Sequence, residues 1–177
     1  MKSKILLTSF QTWLDHQKSN SSDDLLEILQ QQNNDFVSLY FLRQLPVDVQ
    51  LATQQVISQI QTLEPDGIIC CGMAEKRKKL SIESQATCNN QCLYTLVNIS
   101  ELIQQLSITE LSQDAGKFVC EGLYYQVLKY TQSLAPKIPC IFIHVPILNK
   151  SNQDLIHTDF NSIIEYMKQI FKSQVNN

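Results

Sequence analysis

The chain has 177 residues and a mass of 20.3 kDa, which suits a single domain over residues 1–177 and is short for two. Hydrophobic residues make up 44%, which excludes wholesale disorder. The 14 Lys and Arg against 17 Asp and Glu give a net charge of −3, the opposite of the balance in a nucleic-acid-binding module, and no apolar stretch approaches the roughly 20 residues that span a bilayer.

Apolar runs of strand length alternate along the chain with longer segments of helical period. The amino terminus opens like a signal peptide, but its apolar run stops after Leu7, so we interpret it as a strand and expect no export signal. Ser21 or Ser22 is the predicted N-cap of the first helix, and Asn152 that of the last, whose apolar stripe reaches Phe171. The predicted strands cover 5–10, 36–42, 68–72 and 139–146, and the predicted helices before the last one cover 23–31, 48–63, 102–106 and 121–134.

This alternation predicts an α/β fold with a mostly parallel sheet and helices on both faces. In such folds, sites gather at the carboxyl ends of the strands. That rule points to the segment from Phe10 to Trp13, to the residues after Gly72, and to the segment from His144 to Pro146.

The six cysteines do not follow the pattern of a disulfide framework. Cys70, Cys71 and Cys140 lie in apolar runs and are typical of reduced core thiols in a cytosolic protein. Cys88 and Cys92 are four residues apart, but no second Cys or His pair stands near them to complete a zinc site. We therefore expect no metal and a cytoplasmic location.

Cys120 is the thiol with the clearest chemical context, because it lies where a turn feeds a helix. A helix N-terminus lowers a thiol pKa and offers N–H groups to an oxyanion. His144 follows a predicted central strand, and Glu83 follows an apolar/polar alternation. A thiol nucleophile, an imidazole base and an orienting carboxylate form a known catalytic set. A lone Cys or His is more often a packed residue, and the residues alone do not bring these three together.

Several motifs in chain order resemble those of the pyroglutamyl peptidase I family of cysteine peptidases. The opening segment and the L-P-V, P-D and Cys-Gly segments match motifs of that family. Taken together, the matching motifs extend over nearly the whole chain. The two most specific matches surround Cys120 and His144, which are 24 positions apart. The matching segments are Thr8-Ser9-Phe10-Gln11-Thr12-Trp13, Asn20-Ser21-Ser22, Leu45-Pro46-Val47, Glu64-Pro65-Asp66, Cys71-Gly72, Ile82-Glu83, Ala115-Gly116-Lys117-Phe118-Val119-Cys120 and Phe142-Ile143-His144-Val145-Pro146.

The resemblance implies a three-layer α/β/α sandwich of the phosphorylase/hydrolase type, with no metal or cofactor. It implies a thiol protease that removes an N-terminal pyroglutamyl residue from a peptide with a blocked N-terminus, with Glu83, Cys120 and His144 as the catalytic triad. The family's members commonly form homotetramers, so a homo-oligomer, a dimer or a tetramer, is expected. The implied substrate-binding residues are Phe10, Trp13, Met73, Phe118 and Val119. For Phe10 and Trp13, ordinary core packing remains the alternative.

The sequence also departs from the family pattern. Met73 stands where the family has Gln, and Leu93 where it has an Arg associated with the oxyanion site. Glu121 replaces an Asn beside the nucleophile and would disfavour its thiolate. Thr12 replaces a loop Pro, Leu14-Asp15 replace a Gly pair, and the stretch between Glu83 and Cys120 is shorter.

Three hypotheses remain open. The first is a pyroglutamyl-removing peptidase, and the second is a catalytically weak or inactive binding protein that keeps the fold. The third is another thiol hydrolase, such as an amidase with a different acyl group. The basic run Lys76-Arg77-Lys78-Lys79 is predicted to be a solvated loop, or alternatively a surface that attracts an acidic ligand.

Overall fold

A computed structural model describes residues 3–31 and 38–175, and in these residues strands and helices alternate. The strands are β1 (Lys4–Phe10), β2 (Ser38–Leu45), β3 (Gly67–Met73), β4 (Leu80–Glu83), β5 (Gln85–Cys88), β6 (Gln91–Tyr94), β7 (Thr109–Ser112) and β8 (Cys140–Val145). The helices are α1 (Ser21–Gln31), α2 (Val49–Leu63), α3 (Ile99–Leu102), α4 (Val119–Ser133) and α5 (Gln153–Val175), with a 3₁₀ turn over Ile103–Gln105.

Six strands form one sheet in the order β2-β1-β3-β8-β4-β7. Every neighbouring pair is parallel except β4 and β8, which run antiparallel. The predicted mostly parallel sheet is confirmed. The apolar run of β3 is buried along nearly its whole length, as expected of a strand covered on both faces.

Helices cover both faces of the sheet and make a three-layer α/β/α sandwich, as predicted. One core cluster joins one face of the sheet to α2 and α4, and the other joins the opposite face to α1, α3 and α5. Cys70, Cys71 and Cys140 are buried free thiols of these cores. No helix in the described residues is long and apolar enough to cross a membrane.

Helix ends follow local capping rules, with one correction to the prediction. Asn20, and not Ser21 or Ser22, caps α1, because its Oδ1 accepts hydrogen bonds from Ser22 N (3.0 Å) and Ser22 Oγ (2.7 Å). Asp48 caps α2 by accepting from Leu51 N (2.8 Å). Glu64 ends α2 in a left-handed conformation, with φ of 50°.

The sequence missed several short elements. The β5–β6 hairpin turns at Asn89 and Asn90, whose φ angles are 47° and 62°, and β7 pairs with β4 at the sheet edge. Helix α4 begins at Val119, two residues earlier than predicted, so Cys120 belongs to its first turn. Three parts of the predictions lie outside the described residues: positions 1–2 of the first segment, positions 36–37 of the second predicted strand and the side chain at position 171.

A buried carboxylate, Asp159 of α5, holds the segment that enters β7. It accepts hydrogen bonds from Ser107 N (3.0 Å) and Oγ (2.9 Å), Ile108 N (2.7 Å) and Thr109 Oγ1 (2.7 Å). Burial alone would raise the Asp159 pKa, but these donors outweigh it and hold that pKa below its ordinary value. The carboxylate therefore stabilises the fold only while it is ionised.

Asp159→Asn should lower the free energy of unfolding at neutral pH by about 2–3 kcal/mol, because hydrogen bonds to a charged acceptor are lost. The stabilisation by a depressed carboxyl pKa is present above the unfolded pKa of roughly 3.9 and is lost as pH falls through the folded value. The difference between variant and wild type should therefore shrink in acid, as measured by denaturant unfolding. Asp154→Asn, at an exposed position of the same helix, is the control. An equal effect of both substitutions would contradict the prediction.

Candidate active site

The register of the sheet places the predicted catalytic residues on one face. His144 of β8 lies beside Gly72 of β3 and opposite Ser81 of β4, while Glu83 lies opposite Phe142. Side chains alternate along a strand, so Glu83, Phe142 and His144 all point toward α4. Glu83 and His144, which are 61 residues apart in the sequence, thus become neighbours because β4 lies beside β8.

Glu83 and His144 contact each other directly. The Nδ1 of His144 lies 2.8 Å from Oε1 of Glu83, and both side chains are buried. Burial would raise the Glu83 pKa, but the hydrogen bond from His144 outweighs it together with smaller effects of Ser112, of the His144 charge and of Arg77, so that the pKa is lowered. An ionised carboxylate only accepts hydrogen bonds, so Nδ1 carries the proton and Nε2 of the neutral ring is left as an acceptor.

Cys120 lies on the same side of the sheet, in the first turn of α4, and is half-buried. Its sulfur sits directly over Gly72: a Cβ at that glycine would lie 2.7 Å from Sγ and 3.0 Å from the Phe142 ring. Among the side chains that the structure describes, Cys120 has no hydrogen bond to the His144 ring. The structure therefore shows a direct contact between Glu83 and His144 and places the thiol nearby. No hydrogen bond joins Cys120 to His144 in the part of the chain that the structure describes.

The ionisation of Cys120 differs from the sequence expectation. Burial raises the pKa of the thiol to about 12, with the Glu83 charge adding to this increase and Arg77 opposing it. The predicted lowering of this pKa by the helix N-terminus is thus outweighed. Glu121, which was expected to disfavour the thiolate, instead accepts a hydrogen bond from Thr87 N at 2.9 Å. In this arrangement Cys120 is a neutral thiol that needs a base to become a nucleophile.

A cavity of about 350 Å³ opens beside the thiol. Four of the five residues expected to bind substrate line it together with Cys120: Phe10, Trp13, Met73 and Val119. Phe10 is buried in the core and also forms part of the cavity wall, so its two interpretations do not exclude each other. Glu83 and His144 are not among the described residues that line this cavity.

Phe118, the fifth predicted binding residue, lies at the surface and packs on Trp13. The two ring centroids are 4.8 Å apart with 36° between the planes. Two rings that hold a third flat group between them stand about 7 Å apart, twice an aromatic contact distance. The pair is therefore in direct contact, and a planar ligand can lie beside it or enter between the rings only after they separate.

Two loops meet across the cavity through Glu75. Its Oε1 accepts a hydrogen bond from Gln17 Nε2 at 2.6 Å, and His16 Nε2 lies 3.2 Å from its carboxylate. Gln17 in turn accepts hydrogen bonds from Trp13 N and Leu14 N. The loop that carries Trp13 is thus fastened to the loop between β3 and β4.

The site residue that the sequence missed is Arg77. The basic run was predicted to be a solvated loop, and Lys76, Lys78 and Lys79 are indeed exposed. Arg77 instead turns inward and lines the cavity, and its Nη1 lies 2.6 Å from Glu83 Oε1. The sequence feature that could have identified Arg77 is its position six residues before Glu83.

Comparisons with known proteins find similar sequences and similar folds. A family model described as Pyroglutamyl peptidase matches residues 92–168. Pyrrolidone-carboxylate peptidase of Brachyspira hyodysenteriae is 25% identical over an alignment 203 positions long, which covers 98% of this chain and 100% of that protein. Pyrrolidone-carboxylate peptidase 1 of Caldanaerobacter subterraneus subsp. tengcongensis is 22% identical and covers 94% of each chain.

Solved structures share the fold. Pyroglutamyl peptidase I from Bacillus amyloliquefaciens superposes with a TM-score of 0.82 at 20% identity, covering 95% of this chain and 96% of that one. A mutant pyrrolidone carboxyl peptidase from Pyrococcus furiosus gives a TM-score of 0.81 at 18% identity, covering 94% and 98%. At these identities the likeness establishes the architecture.

Proposed function

We propose that this chain is a divergent member of the pyroglutamyl peptidase family and that it is a cysteine exopeptidase that removes N-terminal pyroglutamyl residues from peptides. The observation that carries the proposal is the buried Glu83–His144 pair on the sheet face below Cys120, whose thiol opens into a partly apolar cavity. The cavity of about 350 Å³ is at the small end of ligand sites, which suits one terminal residue and not an extended peptide.

The chemistry begins with transfer of the Cys120 proton to Nε2 of His144. The sulfur then attacks the carbonyl carbon that joins the pyroglutamyl ring to the next residue, and an oxyanion forms. His144 returns the proton to the leaving amine, the C–N bond breaks, and a thioester to Cys120 remains. Water, deprotonated by the same imidazole, adds to the thioester; the C–S bond then breaks, pyroglutamate is released, and the imidazole returns its proton to the Cys120 sulfur. Glu83 keeps the imidazole in the required tautomer and balances its positive charge.

The first turn of α4 can stabilise the oxyanion. Phe118 precedes the helix and provides no side-chain cap, so that no capping side chain occupies the first backbone N–H groups, and the N–H of Cys120 faces its own sulfur. In the proposed mechanism these N–H groups stabilise the oxyanion that forms beside the sulfur. Because a pyroglutamyl end carries no ammonium group, its lactam is recognised by aromatic and apolar walls such as those of Phe10, Trp13 and Val119.

A second candidate is a catalytically weak or inactive binding protein on the same fold. The features that favour it are the high pKa of Cys120, the open contact with His144, and the closed Trp13–Phe118 pair. It predicts binding of a pyroglutamyl peptide without turnover. The third hypothesis, a thiol hydrolase for another acyl group, predicts turnover of a different blocked amide.

We further propose that the protein acts in a reducing, cytoplasmic compartment as one domain over residues 1–177, assembled as a dimer or tetramer. The free state of all six cysteines supports the compartment. The expected homo-oligomer rests on the resemblance to the family.

The test is release of an arylamine from a panel of substrates with equal leaving groups. We expect hydrolysis of the pyroglutamyl-arylamide, and rates at least about a hundredfold lower for the prolyl compound, which places a charged amine in the cavity, and for N-acetyl-glutaminyl, which has no ring. Binding of a pyroglutamyl peptide without release of arylamine would favour the second candidate. Faster cleavage of the open-chain amide would favour the third.

A further inference from the structure

Arg77 stands apart from the rest of the basic run in the loop between β3 and β4. Its side chain is 26% exposed, whereas Lys76, Lys78 and Lys79 are exposed residues. A guanidinium that turns inward loses hydration, which is unfavourable unless its donors find acceptors. The contacts of Arg77 show which acceptors compensate for this loss.

Both ends of the guanidinium fork are used. Nη1 donates to Oε1 of Glu83 at 2.6 Å, the same oxygen that receives the His144 Nδ1 hydrogen. Nη2 donates to the backbone carbonyl of Asp114 at 2.7 Å. Asp114 begins the turn that leads into Cys120, and its Oδ1 accepts a hydrogen bond from Gly116 N. One side chain therefore connects the end of β4 to the loop that precedes the thiol.

We propose that Arg77 is a positioning residue of the Glu83–His144–Cys120 cluster: it holds the Glu83 carboxylate toward His144 and fastens β4 to the loop before Cys120. A planar guanidinium fits this task because its two terminal nitrogens face two acceptors at once. A lysine ammonium at the same position is a point charge on a flexible stem and does not present such a fork.

Charge gives Arg77 a second effect on the cluster. The buried Glu83 carboxylate raises the pKa of Cys120, and Arg77 opposes this increase; Arg77 also helps to keep the Glu83 pKa low. Its positive charge thus offsets part of the increase that the ionised Glu83 causes in the pKa of the thiol. The other titratable or charged groups around the thiol are Cys70 of β3, His144 of β8, Glu75 and Lys76 of the cavity wall, and Glu121 of α4.

The first experiment reads the thiol without any substrate. We expect iodoacetamide alkylation of Cys120 at about pH 8, followed by mass spectrometry of the Cys120 peptide, to be about tenfold slower in Arg77→Gln than in wild type. The exposed Cys92 is the internal reference and should react equally in both proteins. Lys78→Gln removes a positive charge at the next position in the chain, where the side chain is exposed. It should leave the alkylation rate of Cys120 unchanged.

The second experiment uses kinetics and the conservative variant, and for this part the proposal rests on the proposed peptidase activity. In Arg77→Gln, kcat/KM for the pyroglutamyl-arylamide should fall and its acid limb should move to higher pH, because the pKa of Glu83 rises without the guanidinium. Arg77→Lys should restore most of the alkylation rate, since the charge returns. It should leave kcat low, since one ammonium does not join Glu83 to the Asp114 carbonyl.

The outcomes separate the two proposals. If wild type releases no arylamine but the Cys120 alkylation rate falls in Arg77→Gln and recovers in Arg77→Lys, the peptidase function fails and the role of Arg77 stands. If wild type hydrolyses the substrate and Arg77→Gln matches Lys78→Gln in both alkylation and kcat/KM, the role of Arg77 is overturned. Equal losses in Arg77→Gln and Arg77→Lys without any shift of the pH profile would show mere support of the fold and would also overturn it.

Discussion

Cys120→Ser should lower kcat for the pyroglutamyl-arylamide by on the order of 10³ or more, the largest loss expected of any single substitution here. A hydroxyl loses its proton far less readily than a thiol, and even the thiol is neutral in this site, since the pKa of Cys120 is raised to about 12. Because the serine hydroxyl is a weaker acid than the thiol, transfer of its proton to His144 becomes the main obstacle to the reaction. Steady-state kinetics on protein of confirmed fold, checked by circular dichroism, measures the loss.

Cys92→Ser is the matched control, because it makes the same chemical change at an exposed position of β6. It should retain wild-type kcat. Wild-type turnover in Cys120→Ser would show that another group is the nucleophile. Binding of a pyroglutamyl peptide should survive in Cys120→Ser, because the oxygen is smaller than the sulfur and the cavity walls are unchanged.

Gly72→Ala should lower kcat by about a hundredfold, since displacing a reacting atom by about 1 Å has an effect of this size. The new methyl group would lie 2.7 Å from Cys120 Sγ and 3.0 Å from the Phe142 ring. Phe142 is fully buried and packs against Tyr124 and His144, with ring centroids 5.5 Å and 5.0 Å away. The ring has no room to move, so the thiol must move. We expect the free energy of unfolding to fall by about 1–3 kcal/mol as well.

Gly67→Ala separates crowding of the sheet from displacement of the thiol. It adds a methyl group at the other end of β3, 3.1 Å from Ile5 Cδ1 and away from the site, so it should affect stability without lowering kcat. Removing the sulfur offers a second check. In a Cys120→Ala background, Gly72→Ala should destabilise the protein less than it does in wild type, as a double-mutant cycle would measure. A kcat within twofold of wild type in Gly72→Ala would contradict the prediction.

The strand–helix pattern was sufficient to predict the architecture, and the motifs around Cys120 and His144 pointed to residues that the structure places on one side of the sheet. The contact between Glu83 and His144 could be expected only from the resemblance. It depends on β4 entering the sheet antiparallel to β8, and no local pattern in four residues specifies a partner strand so distant in sequence. The hairpin was detectable in principle, because Asn89 and Asn90 are the residue type that tolerates the positive φ of a two-residue turn.

The chemistry of the thiol was predicted in the wrong direction for a physical reason. A helix N-terminus acts on Cys120 with a partial charge, whereas burial and the full charge of Glu83 act against the thiolate at the same place. The balance depends on depth and distance, which a sequence does not contain. Arg77 was missed on similar grounds, because a run of four basic residues looks uniform until the backbone turns one of them inward.

The missing cap of α4 has a consequence for protein engineering. A Ser or Asp at position 118 would satisfy the first N–H groups of the helix and add roughly 1 kcal/mol to the stability of the domain. The same oxygen would occupy the donors that the reaction needs, so a more thermostable variant obtained in this way would be a slower enzyme. At position 118, selection for faster turnover and selection for higher thermal stability therefore favour different residues.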